Sequence, residues 1–310
     1  YTLHYMIEVS NLRKTFGSVH AVDEVSFKAE PGRIFGLLGP NGAGKTTTIR
    51  MINHILEADR GRITVKGIPV GPETQKLIGY MPEERGLYRK MKVGEQLLYL
   101  ARLKGMDRAS ARRAILHWLE RFGASDWLGK QVGELSKGMS QKIQFISTIV
   151  HDPEIFIFDE PFSGLDPINS ELLKTVILEF REQGKTILFS THRMEQVEQM
   201  CDDLCLFNHG RAVLTGRLRE IKQSFGRNTV LLEFDGDGSF LDELDAVRIN
   251  NRSANFAEIR LLEGADPQAI LLAAAARANI LKFELVEPSL TEIFISTVTD
   301  SEADPAASAA

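Results

Sequence analysis

The sequence predicts an α/β fold, a parallel sheet covered by helices and followed by a small α+β domain, and three observations carry that prediction. A strand run at residues 33–38 leads directly into a glycine-broken loop at 39–44 and then a helical pattern at 45–56, and a strand, loop and helix in that order form a recurrent α/β unit. Strand and helix patterns alternate again between residues 155 and 207, as they do when helices carry the crossovers of a parallel sheet. Past about residue 223 the alternation gives way to short strands around one alanine-rich helix.

Taken in order, residues 7–9, 25–29 and 33–38 read as strands, with Pro31-Gly32 as a turn between the last two. From 86 to 150 the period is mostly helical, with amphipathic runs at 93–103 and 109–122 and with Gly123, Gly129 and Gly133 marking the connections. A strand follows at 155–158, then a helix at 168–183, a strand at 186–189, a helix at 194–200 and a strand at 204–207. The last section offers strands at 230–234, 256–262 and 281–285, a turn at Asp235-Gly236-Asp237-Gly238 and a helix at 267–278. The expected organisation is therefore a domain at 1–225 with its helical insertion at about 86–150, an α+β domain at 226–300, and a disordered tail at 301–310, rich in alanine and containing Pro305.

Composition narrows the class. A chain of 310 residues exceeds one minimal domain, and 43% hydrophobic with 25% charged residues suits neither a disordered nor a membrane-embedded chain. The longest apolar candidates, 143–150 and 269–276, fall well short of the roughly 20 residues that a spanning helix needs. Residues 1–10 lack the basic start and apolar stretch of a signal peptide, so residence in the cytoplasm is expected. Cys201 and Cys205, four apart at an expected helix end, have a spacing open to metal binding. With no other cysteine and no histidine cluster nearby, they read as ordinary reduced thiols. A net charge of -5 and a pI near 5.9 provide no basic field for a nucleic-acid backbone, so nucleic acid is not an expected partner.

The chemistry begins at Gly39-Pro40-Asn41-Gly42-Ala43-Gly44-Lys45-Thr46, which has the spacing of a Walker A loop. In such a loop backbone amides wrap phosphates and the following helix adds the positive end of its dipole. Lys45 is then placed to reach the β- and γ-phosphates of ATP, Thr46 to ligate Mg²⁺ through its hydroxyl, and Thr47 to hold the α-phosphate side. Residues 155–160, Ile-Phe-Ile-Phe-Asp-Glu, form an apolar run ending in two carboxylates. An isolated run of this kind is often just a strand reaching solvent; after a Walker A loop it reads as Walker B, with Asp159 holding Mg²⁺ and Glu160 the general base that polarises the attacking water.

Between these motifs lies Leu135-Ser136-Lys137-Gly138-Met139, shortly before a helix that leads into the second one. With it the chain resembles the ABC-type ATPases, whose fold joins a mixed-sheet P-loop core to an antiparallel β subdomain and a helical subdomain. The resemblance implies a head-to-tail dimer of two copies in which Ser136 and the amide of Gly138 meet the γ-phosphate held by the other subunit's Walker A loop. Ser136 also reads as a plain helix N-cap. Lys137 and Met139 depart from the family's usual glycine and glutamine. Ser163-Gly164-Leu165-Asp166 resembles the D-loop, bringing Asp166 to the nucleotide, and His192 resembles the switch histidine at a strand's C-terminal end. Phe16 resembles the aromatic that stacks on adenine, or is a packed phenylalanine. Glu83, within Met81-Pro82-Glu83-Glu84-Arg85, stands where the family has a glutamine that touches Mg²⁺ and the water. A carboxylate there adds negative charge beside Glu160 and the triphosphate, and slower or more pH-sensitive hydrolysis is expected.

The resemblance spans roughly residues 6–225. The ending Glu287-Pro288-Ser289-Leu290-Thr291-Glu292-Ile293-Phe294 resembles the C-terminal extension of ATP-binding subunits of bacterial sodium- and drug-efflux ABC exporters, and equally reads as a helix start capped by Ser289 with Leu290, Ile293 and Phe294 on one packed face. The resemblance implies an ATPase subunit, peripheral on the inner face of the membrane, that drives a separate permease, most simply an exporter of ions or drug-like compounds. A non-transport ABC ATPase acting on ribosomes or nucleic acid fits less well, since those relatives carry two cassettes, or a long coiled coil between Walker A and signature, whereas Lys45 and Ser136 are only 91 positions apart (136 minus 45). A P-loop kinase leaves Ser136, Asp166 and His192 unexplained.

Overall fold

The computed structural model describes residues 5–84 and 86–303, the side chains of 299–303 excepted. Two compact units divide it, Tyr1–Arg217 and Leu218–Ala310.

In the first unit, β1 (Ile7–Phe16) and β2 (Val19–Ala29) form an antiparallel hairpin. After β3 (Ile34–Leu38) and α1 (Lys45–Ile52), β4 (Arg60–Val65) pairs antiparallel with β1 and with the short β5 (Ile68–Pro69). There follow α2 (Pro72–Gln75), β6 (Ile78–Met81), α3 (Val93–Leu103), α4 (Arg108–Arg121), α5 (Lys137–Ile149), β7 (Ile155–Asp159), α6 (Pro167–Glu182), β8 (Thr186–Thr191), α7 (Met194–Met200), β9 (Asp203–Asn208) and β10 (Arg211–Arg217). Two sheets result, an antiparallel one in the order β2-β1-β4-β5 and a six-stranded one in the order β10-β9-β3-β8-β7-β6. The latter is parallel except for β10 at its edge.

Strands β3, β7 and β8 are buried at every residue, as expected where helices cover both faces of a parallel sheet. Alternation along β7 sends Phe156 and Phe158 to one face, where they stack on Phe180 of α6 and Phe145 of α5 at centroid distances of 4.4 and 5.2 Å. Ile155 and Ile157 join the cluster that holds Ile49 and Ile52 of α1. Packing on both faces fixes the height at which β7 ends, and β3, β6, β7 and β8 all deliver their C-terminal ends to the same edge. Ligand sites of open α/β sheets form at that edge.

The second unit holds α8 (Leu218–Ser224), β11 (Thr229–Gly236), β12 (Val247–Ser253), β13 (Phe256–Leu261), α9 (Pro267–Ala275), β14 (Ala278–Val286) and α10 (Leu290–Ala303). Its sheet is antiparallel throughout, in the order β12-β13-β11-β14. Val230, Leu232 and Phe234 of β11 form its core with Phe240, Ile270 and Ala274. Helix α10 starts with a reciprocal box: Ser289 Oγ accepts from Glu292 N at 3.2 Å, and Glu292 Oε2 accepts from Ser289 N at 2.9 Å. The other Glu292 oxygen accepts from Thr229 of β11 and Asn250 of β12, so the Pro-Ser-Leu segment starts a helix and ties it to the sheet. Leu290 and Ile293 are buried.

Several expectations shift. The boundary falls between Arg217 and Leu218, earlier than the expected end at 225, because α8 folds with the second unit. Helix α10 extends through Ala303, into the expected tail, while 304–310, with the start of the chain at 1–4 and Arg85, lie outside the described residues. Helix α1 ends at Ile52 rather than 56. Cys201 caps the C-terminus of α7, but Cys205 sits on β9 rather than at a helix end, and both are buried free thiols whose burial raises their pKa. Among the described residues no helix is long and apolar enough to cross a membrane.

Candidate nucleotide site

The glycine loop leaves β3 in a conformation that side chains resist. Gly44 caps α1 at φ 107°, and a Cβ there would lie 2.4 Å from the Ala21 carbonyl oxygen of β2. A Cβ on Gly39 would lie 2.3 Å from the Phe207 carbonyl oxygen of β9. Any side chain at either position would push the loop off the sheet edge. Gly42, with nothing near its missing Cβ, and Asn41 lie on the exposed side of the loop, and Ala43 is buried beneath it.

Lys45, only 6% exposed, folds back over this loop. Its Nζ donates to the carbonyls of Gly39 at 2.6 Å and Pro40 at 3.0 Å. Burial lowers its pKa against the opposing pull of Glu160, Asp159 and Glu83. The ammonium thus sits in the field of Glu160, Asp159 and Glu83, on carbonyl partners that an incoming anion can replace.

Thr46 Oγ1 donates to Asp159 Oδ2 at 2.9 Å, joining residues far apart in sequence. Burial raises the Asp159 pKa against the opposing hydroxyls of Ser190 and Thr46, and Glu83 adds to the rise. Among the described residues neither the buried Asp159 Oδ1 nor the buried Ser190 Oγ beside it makes a well-aligned hydrogen bond. A free carboxylate oxygen beside a threonine hydroxyl is the hard oxygen donor set that suits Mg²⁺, so these residues fit that ion.

Glu160 follows Asp159 yet serves a different partner. Its backbone turns out of β7 at φ 50°, a left-handed conformation costing about 1–2 kcal/mol in a non-glycine residue. The turn lets one carboxylate oxygen, Oε1, accept from His192 N at 2.9 Å and meet His192 Nδ1 at 2.7 Å. Glu160 is 9% exposed, whereas the His192 ring is half exposed. Thr191 supports the pair: its hydroxyl donates to Gln196 at 2.7 Å and accepts from Arg193 N.

The remaining residues divide. Glu83 is exposed on the loop after β6, and the backbone on either side of it is held by Gln144 Nε2, which donates to Pro82 O at 2.7 Å and Glu84 O at 3.3 Å. Ser136 caps α5 by accepting from Met139 N at 3.3 Å. Gly138 lies against Gly164 and Leu165, and the Lys137 side chain covers Gly164 so closely that a Cβ there would lie 2.5 Å from Lys137 Cε. Asp166 caps α6, and the Asn169 amide lowers its pKa. Among the described residues no hydrogen bond joins Ser136, Gly138 or Asp166 to the loop of Lys45 in the same chain. Phe16 is half exposed beneath Lys14, whose Nζ lies 5.6 Å from the ring centroid, so it is not a packed core residue. Thr47 is half-buried on α1. Sequence reasoning missed Gln141, Gln144, Thr191 and Gln196. Gln141 and Gln144 had a signal, because they interrupt the apolar stripe of α5, where Gln141 Nε2 donates to Pro161 O at 2.8 Å just after Glu160.

A six-stranded sheet with a glycine loop that seats a buried lysine, and an Asp-Glu pair at the end of β7, two strands away in the same sheet, define a P-loop nucleotide-binding cassette. The chain belongs to the ATP-binding proteins of ABC transporters. The ABC transporter family profile matches residues 22–163, and that of the "ATP-binding protein DrrA1-3-like, C-terminal domain" matches residues 216–298. The chain is 47% identical to the uncharacterized ABC transporter ATP-binding protein YhaQ of Bacillus subtilis, over 94% of this chain and 98% of that protein. It is 30% identical to the linearmycin resistance ATP-binding protein LnrL of the same organism, over 94% and 97% of the two chains. A solved ATP-binding subunit of an ABC transporter superposes with a TM-score of 0.67 at 33% identity, covering 71% of this chain and 93% of the other.

Proposed function

We propose that this chain binds and hydrolyses ATP with Mg²⁺, as one of two copies in a head-to-tail dimer that energises a membrane permease, and that the permease is an exporter. The observation that carries the catalytic part is the division of labour at the end of β7. Asp159 is bound to Thr46 with one oxygen free, while Glu160 is bound to His192. Lys45 would leave the carbonyls of Gly39 and Pro40 for the phosphates. Phe16 would offer its open face to adenine, and Thr47 its hydroxyl to the α-phosphate side. Thr46 and Asp159 would hold Mg²⁺, which supplies neutralisation of phosphate charge when bound. Glu160, oriented by His192, would accept the proton of the attacking water. Ser136, Gly138 and Asp166 have no bond to this loop within one chain, which is the arrangement expected if they serve the other copy's nucleotide. An export role is supported by relatives whose names state resistance or export, among them the Nod factor export ATP-binding protein I of Rhizobium etli, 32% identical over 93% of this chain. In this reading the chain works in the cytoplasm, at the membrane's inner face.

Specific ATPase activity should rise with protein concentration, because each site needs two copies; measured across a dilution series, a flat profile would reject the dimeric site. Glu83 should leave a mark on the pH profile. It adds negative charge near Asp159 and Lys45 and helps to raise the Asp159 pKa, so Glu83→Gln should hydrolyse ATP faster and, by letting that pKa fall, move the acid limb of the profile to lower pH. Superimposable profiles for the two proteins would remove Glu83 from the site.

A recess of about 260 Å³ borders the Glu83 loop, lined by Pro82, Leu87, Leu100, Lys104, Gln144 and His151 among others. Among the described residues the Gln144 oxygen is buried there without a partner, and burial lowers the His151 pKa to about 4. A permease segment seated in this recess would reach the backbone that carries Glu83.

A further inference from the structure

Helices α3 and α4 border a groove of about 600 Å³ that shares no residue with the nucleotide site. Along α4 its lining follows one face of the helix: Arg108 and Arg112 come first, one turn apart, and Ile115 and Leu116 continue the stripe about one turn further on. Leu98 of α3 and Leu128, from the turn after α4, complete the apolar part. Leu128 is seated against Gly94, whose N–H donates to the Leu128 carbonyl at 3.0 Å and where a Cβ would lie 2.8 Å from Leu128 Cδ1. Ile115 is buried, but Leu116 is 55% exposed and Leu128 is 39% exposed, so apolar surface along the groove stays open to solvent.

The charges are distributed as unevenly. Among the described residues Arg108 and Arg112 make no hydrogen bond or ion pair. Arg108 stands in the first turn of α4, where a positive charge opposes the helix dipole, so it is not placed there for the helix's sake. The adjacent acid, Asp107, is taken up in capping Ala109 N and Ser110 N and lies in the field of Arg113. On the α3 side Lys92 and Glu95 offset each other in charge. The groove therefore carries two unbalanced guanidinium groups at the head of an apolar stripe. Its side chains are charged or apolar, with no neutral polar one among them, a composition that suits one anionic group joined to a hydrocarbon chain better than a sugar or a base. Guanidinium forks take phosphate oxygens in pairs.

We propose that this groove binds an anionic phospholipid of a membrane surface, with its phosphate on Arg108 and Arg112 and one acyl chain along Leu98, Ile115, Leu116 and Leu128. The contact gives the ATP-binding unit a hold on the membrane that is separate from the permease and needs no nucleotide. Made alone it is weak, because it uses two charges and part of one chain. It becomes persistent where a permease already keeps the protein at the surface.

The test uses the full chain in co-sedimentation with vesicles of phosphatidylcholine, alone or with about 30% phosphatidylglycerol. The parent should bind the mixed vesicles at least about tenfold better than the neutral ones, and the double variant R108Q/R112Q should lose about 10–30-fold of that binding, as two basic residues contribute at such a surface. Arg62→Gln, which removes an exposed charge from β4, should bind as the parent does. Leu116→Gln changes no charge and alters an exposed side chain, yet should weaken binding about fivefold or more, because the acyl chain loses apolar contact. Brominated acyl chains should quench the fluorescence of Trp127, the neighbour of Leu128, and L116Q should reduce that quenching. A loss in R62Q equal to that in R108Q/R112Q would overturn the proposal in favour of general charge attraction. So would L116Q binding as the parent does, or vesicle binding without quenching. Binding of soluble short-chain phosphatidylglycerol without binding of vesicles would overturn the membrane source, and binding of an acidic amphipathic peptide in place of lipid would make the groove a protein-docking site instead. ATP binding by the same variants should stay at the parent's level, which checks that each is folded and keeps this result separate from that for the nucleotide site.

Discussion

Glu160→Gln should lower ATP turnover by about 10²–10³-fold while leaving ATP affinity within a few-fold of the parent. The substitution is nearly isosteric, and the new amide oxygen still accepts from His192 N, a bond of 2.9 Å in the parent. What disappears is the basicity of the oxygen 2.7 Å from His192 Nδ1. Binding and chemistry should therefore separate. Equilibrium binding of ATP measured beside steady-state phosphate release would show a protein that loads but does not turn over. In a two-copy site, the ATP-bound dimer should then persist and appear as a stable species by light scattering. Turnover within threefold of the parent would transfer the base role away from Glu160.

Lys45→Met should weaken ATP binding about 100-fold and leave the nucleotide-free fold almost unchanged. Two effects of opposite sign meet in the free protein. Burial depresses the lysine's pKa. Below its ordinary pKa the unfolded chain holds that proton more tightly than the folded one, so the charged lysine costs stability at neutral pH and a buried methionine relieves that cost. Against it stand the two lost bonds to the Gly39 and Pro40 carbonyls, each worth about 1 kcal/mol or more. In the nucleotide complex there is no such offset, because charge-assisted contacts to phosphate vanish. At ATP one hundred times the parent dissociation constant, ligand stabilisation should fall from about 2.7 kcal/mol to about 0.4 kcal/mol. Thermal melts with and without ATP read both quantities. A variant that keeps the full ATP-induced rise in Tm would remove Lys45 from the phosphate site.

The glycine loop was legible because its conformation is local. Gly39, Gly42 and Gly44 recur within six positions, all three have positive φ, and Lys45 and Thr46 follow in the first turn of α1. Asp159 and Glu160 were legible for a similar reason, an apolar strand that stops at two acids. The α+β character of the C-terminal unit was also readable, since β11, β13 and β14 alternate clearly. Strands β4, β10 and β12 were not. Arg60-Gly61-Arg62 at the start of β4 and Asn250-Asn251-Arg252 within β12 have little strand preference of their own. They become strands because β1 and β13 supply hydrogen-bonding partners.

By itself, then, the sequence determined the phosphate loop, the pair of acids, the parallel core and the second domain, because each rests on neighbours within one element. The tertiary structure decided which partner each acid takes. Strand alternation, the left-handed turn at Glu160 and the heights of β3, β7 and β8 set Asp159 against Thr46 and Glu160 against His192. It also decided that Gln141 and Gln144 hold the loops on either side of the site. Those are properties of register and packing between distant segments, which no local spacing encodes.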